Sequence, residues 1–207
     1  LINHAKRMGL FTGMNIVLGH PGETKEMIRE TYEFVRNVEP DWTAFFIAYP
    51  YPGTQMTDVL LTKGTITEDE LLGIWDSSTQ GFKVRSFDTE EISGRELSDL
   101  VYDFNIELNF FRNRNMRDGD YAKMLVKLDK IAARYPFHAV ALACRAKCYQ
   151  GLGRHDDAMR DVLRIRQLAR ENSESRRMIE RYGKWLVEAL ESCGLEACLE
   201  GSLESNG

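Results

Sequence analysis

The sequence predicts an α/β segment followed by an all-α segment, and three observations carry that expectation. Two apolar runs, residues 12–18 and 42–49, flank an amphipathic helical pattern. The second half contains no comparable run. Its packing residues recur instead at a fixed interval: Leu108 and Leu142, Met124 and Ala158, Leu128 and Val162, and Ile131 and Ile165 are each 34 apart.

Residues 2–9 read as the end of a helix stopped near Gly9. Residues 12–18 read as a strand with Met14, Ile16 and Leu18 on one face and Asn15 and Val17 on the other. The turn "GHPGET" follows. Pro21 biases His20 toward an extended backbone. Gly22 supplies the freedom that a sharp strand-to-helix turn needs. Thr24 is a good N-cap, and Glu23 and Glu26 place negative charge at the positive helix end. The helix runs to about Val38 on a stripe of Met27, Ile28, Thr31, Val35 and Val38, and Glu39-Pro40 ends it. Residues 42–49 are apolar on both faces, as in a buried strand of a parallel sheet, and Pro50, Pro52 and Gly53 close the run. Residues 12–49 therefore form one βαβ unit with a right-handed crossover.

A short helix over 54–62 ends at Gly64. Thr67 with Glu70 forms a capping box for a helix over 68–78, and Ser93 with Glu96 opens another. Between them, "GFKVRSFDTEE" fits an edge strand and a loop equally well.

In the second half the interval of 34 residues is the period of the tetratricopeptide helix-turn-helix. Leu142, Ala146, Tyr149, Gly153, Ala158 and Val162 fall on its large, small and aromatic packing positions, and Pro136 ends the preceding unit. The motif's Trp is absent, and Arg145 stands at a usual Leu position. A helix over 175–191, with Ile179, Tyr182, Leu186 and Leu190 on one stripe, reads as a solvating cap. The tail over 193–207 reads as frayed.

The charge balance limits the partners. The 207 residues carry 27 Lys and Arg against 32 Asp and Glu, a net charge of -5. That disfavours nucleic acid and anionic membrane surfaces. No apolar run approaches the roughly 20 residues of a spanning helix, and the start is not signal-like, so the expected location is the cytoplasm. Cys144, Cys148, Cys193 and Cys198 fit reduced, buried thiols. With no third ligand beside Cys144 and Cys148, no zinc site is expected. The chain opens "LINHAKRMGLFTG" without an initiator Met and reads as a domain cut from a longer protein.

The GHPGET turn is a poor phosphate cradle. It lacks the Gly-x-x-x-x-Gly-Lys-[Ser/Thr] and Gly-x-Gly-x-x-Gly patterns, and Glu23 and Glu26 already occupy the positive helix end. Its place at a strand's carboxyl end, beside a second punctuated turn, "YPYPGT", suits a ligand rim. His20 is the rim's titratable side chain.

The order strand, "GHPGET", amphipathic helix, strand ending "YPYPGT", short helix and "KG.I" resembles the C-terminal part of a radical SAM barrel. It is most similar to the cobalamin-binding subgroup that includes the anaerobic magnesium-protoporphyrin monomethyl ester cyclases. The resemblance covers residues 1–66. It implies a partial TIM-like barrel, which the 34-residue interval follows with tetratricopeptide-like hairpins. The corresponding domains are 1–66 (barrel part), 67–105 (helical bridge), 106–192 (helical repeats with cap) and 193–207 (tail). It also implies an iron-sulfur oxidoreductase that, when intact, cleaves S-adenosylmethionine to a 5′-deoxyadenosyl radical. Carried over by position, Val17, Leu18 and Gly19 would line the adenine from one strand and Phe46, Ile47 and Tyr49 from the next. Glu23 would brace the turn. The Cys-x3-Cys-x2-Cys motif for a [4Fe-4S] cluster is absent, since position 151 is Gly. The segment alone is therefore expected to hold no cluster or metal, to carry no catalytic residue and to be inactive. S-adenosylmethionine, the cluster and cobalamin are implied for the full-length protein only.

The implied partners are a missing N-terminal barrel half and a protein docking on the helical repeats. A second copy pairing through exposed strand edges is a further one. The alternative reading is a helical interaction module whose run of Arg160, Arg164, Arg166 and Arg170, with Arg176, Arg177 and Arg181 beyond, meets an acidic segment.

Overall fold

The computed structural model describes residues 1–77, 85–191 and 194. The chain divides into two compact units, Leu1–Asn109 and Phe110–Gly207.

The first unit runs α1 (Ile2–Arg7), β1 (Gly13–Leu18), α2 (Lys25–Val38), β2 (Trp42–Ile47), α3 (Gln55–Thr62), α4 (Glu68–Ser77) and α5 (Gly94–Ile106). A π-helical turn, Glu107–Phe111, follows α5. The strands pair in parallel, Gly13 opposite Trp42 through Leu18 opposite Ile47. This is the parallel βαβ pairing that the apolar runs predict. One face of the sheet carries Leu18, Phe45 and Ile47 into a core with Ile28, Tyr32 and Val35 of α2 and Leu97 and Val101 of α5. Tyr32 stacks on Phe104 at 4.3 Å between ring centroids, and Phe104 meets Phe45 edge-on at 5.5 Å.

Local chemistry sets the element ends. The Thr24 hydroxyl accepts the Met27 N–H at 3.3 Å and starts α2. Glu39, in the left-handed region at φ 50°, ends it before Pro40. Thr67 and Glu70 close a reciprocal capping box on α4, at 2.7 Å from the Thr67 N–H and 3.2 Å from the Glu70 N–H. The two strand entrances are tied by a buried clasp: the Thr12 N–H and hydroxyl donate to Asp41 Oδ2 at 2.7 and 2.8 Å.

The outer edge of β2 is sealed by side chains. Asn109 accepts from the Thr43 N–H at 2.8 Å and donates to its carbonyl at 2.6 Å. Asn105 does the same for Phe45, at 3.0 and 2.9 Å. Two amides four residues apart, on α5 and the π-turn, thus stand in for a third strand. Asn109→Ala leaves a buried donor and acceptor unsatisfied and is expected to cost about 2–3 kcal/mol. Urea denaturation followed by circular dichroism measures this, and a loss under about 0.5 kcal/mol would show that water replaces the amide.

The second unit contains α6 (Arg114–Arg117), α7 (Tyr121–Arg134), α8 (Ala139–Gly151), α9 (His155–Glu171) and α10 (Ser173–Glu191). Helix α8 is apolar or small nearly all round and buries nine residues from Ala139 to Tyr149. It packs against α7, α9 and α10. Of its two charged residues, Arg145 and Lys147, Arg145 is satisfied laterally. The guanidinium forms a bidentate pair with Asp161 of α9, both bonds 2.7 Å, and reaches Asp129 of α7 at 3.3 Å. The Asp161 bonds and burial act oppositely on the Arg145 pKa; the bonds win and hold it above its ordinary value.

Two expectations about fold class are corrected here. The described residues contain one two-stranded sheet in a mostly helical chain, not a fragment of a TIM-like barrel. A parallel βαβ unit with punctuated strand ends is common to many α/β proteins, and its apolar runs do not encode how many further strands pair with it. Nor do the helices form tetratricopeptide-like hairpins. The first supposed repeat straddles the division between units: Leu108 packs into the first unit's core, whereas Leu142 belongs to α8 of the second. The recurring interval does not mark equivalent units, since α7 has 14 residues and α9 has 17.

Among the described residues, no helix is long and apolar enough to cross a membrane. Residues 81–84 of the undecided segment and nearly all of the tail over 193–207 lie outside the described residues.

Candidate functional site at the strand ends

Parallel pairing brings the two punctuated turns together, because the Ala48 N–H donates to the Leu18 carbonyl at 2.7 Å. The six residues named from sequence then separate by face. Val17 and Phe46 are direct cross-strand partners and are 47% and 42% exposed. They form an apolar step on the open side of the sheet. Leu18 and Ile47 point the other way, into the core. Gly19 is buried at φ +85°, and a Cβ there would lie 2.2 Å from Leu97 Cδ2. Tyr49 is half-buried beside Leu60, Ile66 and Leu71, its ring 5.8 Å from that of Tyr51.

The turn is braced by its own glutamate. The Glu23 carboxylate accepts from the Gly19 N–H, and from the His20 N–H at 3.2 Å. The Glu26 carboxyl is held below its ordinary value by its backbone hydrogen bond and by Thr24. The Glu26 carboxylate sits at the start of α2, so an incoming anion meets negative charge there.

Sequence reasoning missed Arg85, which is 4% exposed. Its guanidinium donates to the Ile92 carbonyl at 2.5 Å, the Gly19 carbonyl at 3.3 Å and the Thr89 hydroxyl at 3.4 Å. It lies 5.1 Å from the Phe87 ring centre. Burial lowers its pKa, opposed by Asp88 and Glu91. Nothing in "GFKVRSFDTEE" distinguishes this Arg from a solvated one, because the Gly19 carbonyl that ties it to the rim lies 66 positions away.

The second unit has a cleft of about 240 Å³ lined by Phe110, Phe111, Met116, Cys144 and Trp185, with Arg112, Lys147 and Glu188 among its walls. Lys147 has no ion pair among the described residues. Much of the basic run is engaged locally: Arg160 pairs with Asp157, Arg164 donates to Gln167 at 2.7 Å, and Arg176 donates to the Ala169 and Arg170 carbonyls at 3.1 and 2.8 Å. Burial pushes the Cys144 thiol up and the Cys148 thiol up to about 12, so neither is a thiolate near neutrality. No group of three or more His, Cys, Asp or Glu among the described residues could hold a metal ion.

The fold and sites define a two-unit chain, a βαβ layer with a strand-end rim and a helical unit with a cleft of mixed polarity. Comparison with protein-family models finds no match. No solved structure matches either. Over 95 residues the chain is 30% identical to a protein of Pyrococcus horikoshii named "Uncharacterized methyltransferase PH0819", covering 44% of this chain and 20% of that relative. Over 129 residues it is 26% identical to "Protein PHOX3" of Arabidopsis thaliana, covering 59% of this chain and 16% of that relative. The chain thus spans a fifth or less of the length of these relatives.

These findings correct the radical SAM resemblance. No such family matches, the described residues contain no group that could hold a metal ion, and the relative with an activity in its name is called a methyltransferase. The two motifs that carried the resemblance are strand-end punctuation. Pro and Gly recur wherever a strand must turn sharply into a helix, whatever the family.

Proposed function

We propose that this chain is a segment of a methyl-transfer enzyme and that its strand-end rim forms one apolar wall of the site for S-adenosylmethionine. The supporting observation is the similarity to the protein named as a methyltransferase. The rim fits the ligand's chemistry. The Val17–Phe46 step offers a flat apolar surface to an adenine ring. The glutamates that oppose a phosphate tolerate a ligand bearing a sulfonium cation, which supplies an electrophilic methyl group when bound. Leu18, Gly19 and Ile47 act from beneath by setting the strand ends, and Tyr49 flanks the rim.

Saturation-transfer NMR with S-adenosylhomocysteine tests this reading. Transfer from the chain to the adenine protons is expected, with loss of at least about tenfold in affinity for Phe46→Asp, which removes a stacking surface worth about 1–3 kcal/mol. Phe46 is exposed, so the variant should keep its circular dichroism spectrum. No transfer, or transfer unchanged in Phe46→Asp, would sink the idea.

A second reading concerns the helical unit as a protein-interaction module, and the cleft with the unpaired Lys147 favours it. A cleft with aromatic and cationic walls suits a segment with an apolar anchor beside an acid. Lys147→Glu is then expected to reduce partner recovery in affinity capture more than the double reversal Arg160→Glu and Arg164→Glu. Recovery unaffected by either change would count against a charged docking surface.

A further inference from the structure

The two edges of the small sheet are treated differently, and the difference points to a partner. The β2 edge is closed by Asn105 and Asn109. On β1, Thr12 and Leu18 offer their carbonyls to β2, so the alternate residues Gly13, Asn15 and Val17 turn their N–H and carbonyl groups outward. Those groups have no partner among the described residues, and all three residues are exposed. Edge strands are usually protected by a charge, a proline, a bulge or a cover. The strand GMNIVL carries no charge and no proline, and it runs in unbroken register with β2.

We propose that β1 pairs antiparallel with β1 of a second copy about a two-fold axis through Asn15, extending the sheet to four strands. The strand is self-complementary about that residue. Outward-facing Gly13 falls opposite Val17 of the second copy, and Val17 opposite Gly13 of the second copy. Each branched side chain meets a position with none. Asn15 falls opposite Asn15 of the second copy, and a carboxamide can donate and accept at once, so the pair satisfies itself across the axis. Every outward backbone group of the three residues then gains a ladder partner. A two-fold axis perpendicular to the sheet keeps the Val17–Phe46 steps of both copies on one face. The inference stands independently of the methyl-transfer reading, since it uses backbone groups that no ligand at the rim occupies.

Sedimentation velocity over a concentration series of the full chain tests it, with Asn15→Asp and Asn15→Lys. Asn15 is exposed, so both variants should keep the wild-type circular dichroism spectrum. The wild type is expected to show a concentration-dependent dimer. Each variant alone places like charges at the axis and should raise the dimer dissociation constant about tenfold or more. The equimolar mixture of the two variants should return it to the wild-type value or below. A wild type that stays monomeric throughout, a dimer indifferent to both variants, or a mixture no tighter than either variant alone would overturn the proposal.

Discussion

Asp161→Ala is expected to cost the helical unit about 3–5 kcal/mol, the usual consequence of removing one partner from a buried ion pair. Asp161 and Arg145 are 8% and 20% exposed at their side chains and share two bonds of 2.7 Å. Without the carboxylate, the guanidinium is left between α8 and α9 with Asp129 at 3.3 Å and the Tyr149 ring at 5.6 Å. The Asp129 side chain is 52% exposed, so water screens that contact, and Asp129→Ala should cost no more than about 1 kcal/mol. The contrast between the two alanine variants is the test, read by urea denaturation of the full chain. Equal losses, or a loss at Asp161 under about 1 kcal/mol, would mean that the pair is solvated and that α8 is held by its apolar contacts alone.

Gly94→Ala should destabilise the first unit by about 2–3 kcal/mol through overpacking. A Cβ at that position would lie 2.4 Å from the Arg85 carbonyl oxygen and 2.5 Å from that of Phe87. Both are backbone atoms, so a rotamer change cannot relieve the contact. The segment must move, and with it the guanidinium that holds the Gly19 carbonyl. Amide resonances of Gly19 and His20 should therefore shift in this variant, although neither residue touches position 94. Gly22→Ala is the control: its φ is +86° but nothing lies within 4 Å of the new Cβ, so the cost is the backbone penalty of about 1 kcal/mol. A Gly94→Ala protein as stable as Gly22→Ala, with the turn resonances unmoved, would remove Arg85 as the link between α5 and the rim.

Much of the local structure was legible because it is encoded locally. The alternation in residues 12–18 and the continuous apolar run from 42 led to β1 and β2, and Thr24 and Glu39 mark the ends of α2. The capping box at Thr67 and the N-cap at Ser93 sit where the four-residue pattern places them. What was illegible depends on partners distant in sequence. Asn105 and Asn109 look like ordinary polar helix residues until β2 lies beside them, 60 and 66 positions away. Arg145 looked like a flaw in a repeat, because the carboxylate that satisfies it belongs to another helix. The barrel expectation failed for the same reason, since neither strand carries information about how many others join it. At the rim, alternation correctly set Val17 against Leu18, but the resemblance grouped them together and lost that distinction.

The Asn105 and Asn109 clamp also fixes how the protein breathes. An amide in a sheet usually exchanges with solvent when its neighbouring strand lifts away. The Thr43 and Phe45 amides are held instead by a helix and its π-turn, so their exchange is timed by the unwinding of α5. Strand and helix therefore open as one cooperative element, and deuterium uptake at these two amides of β2 reports the stability of a helix.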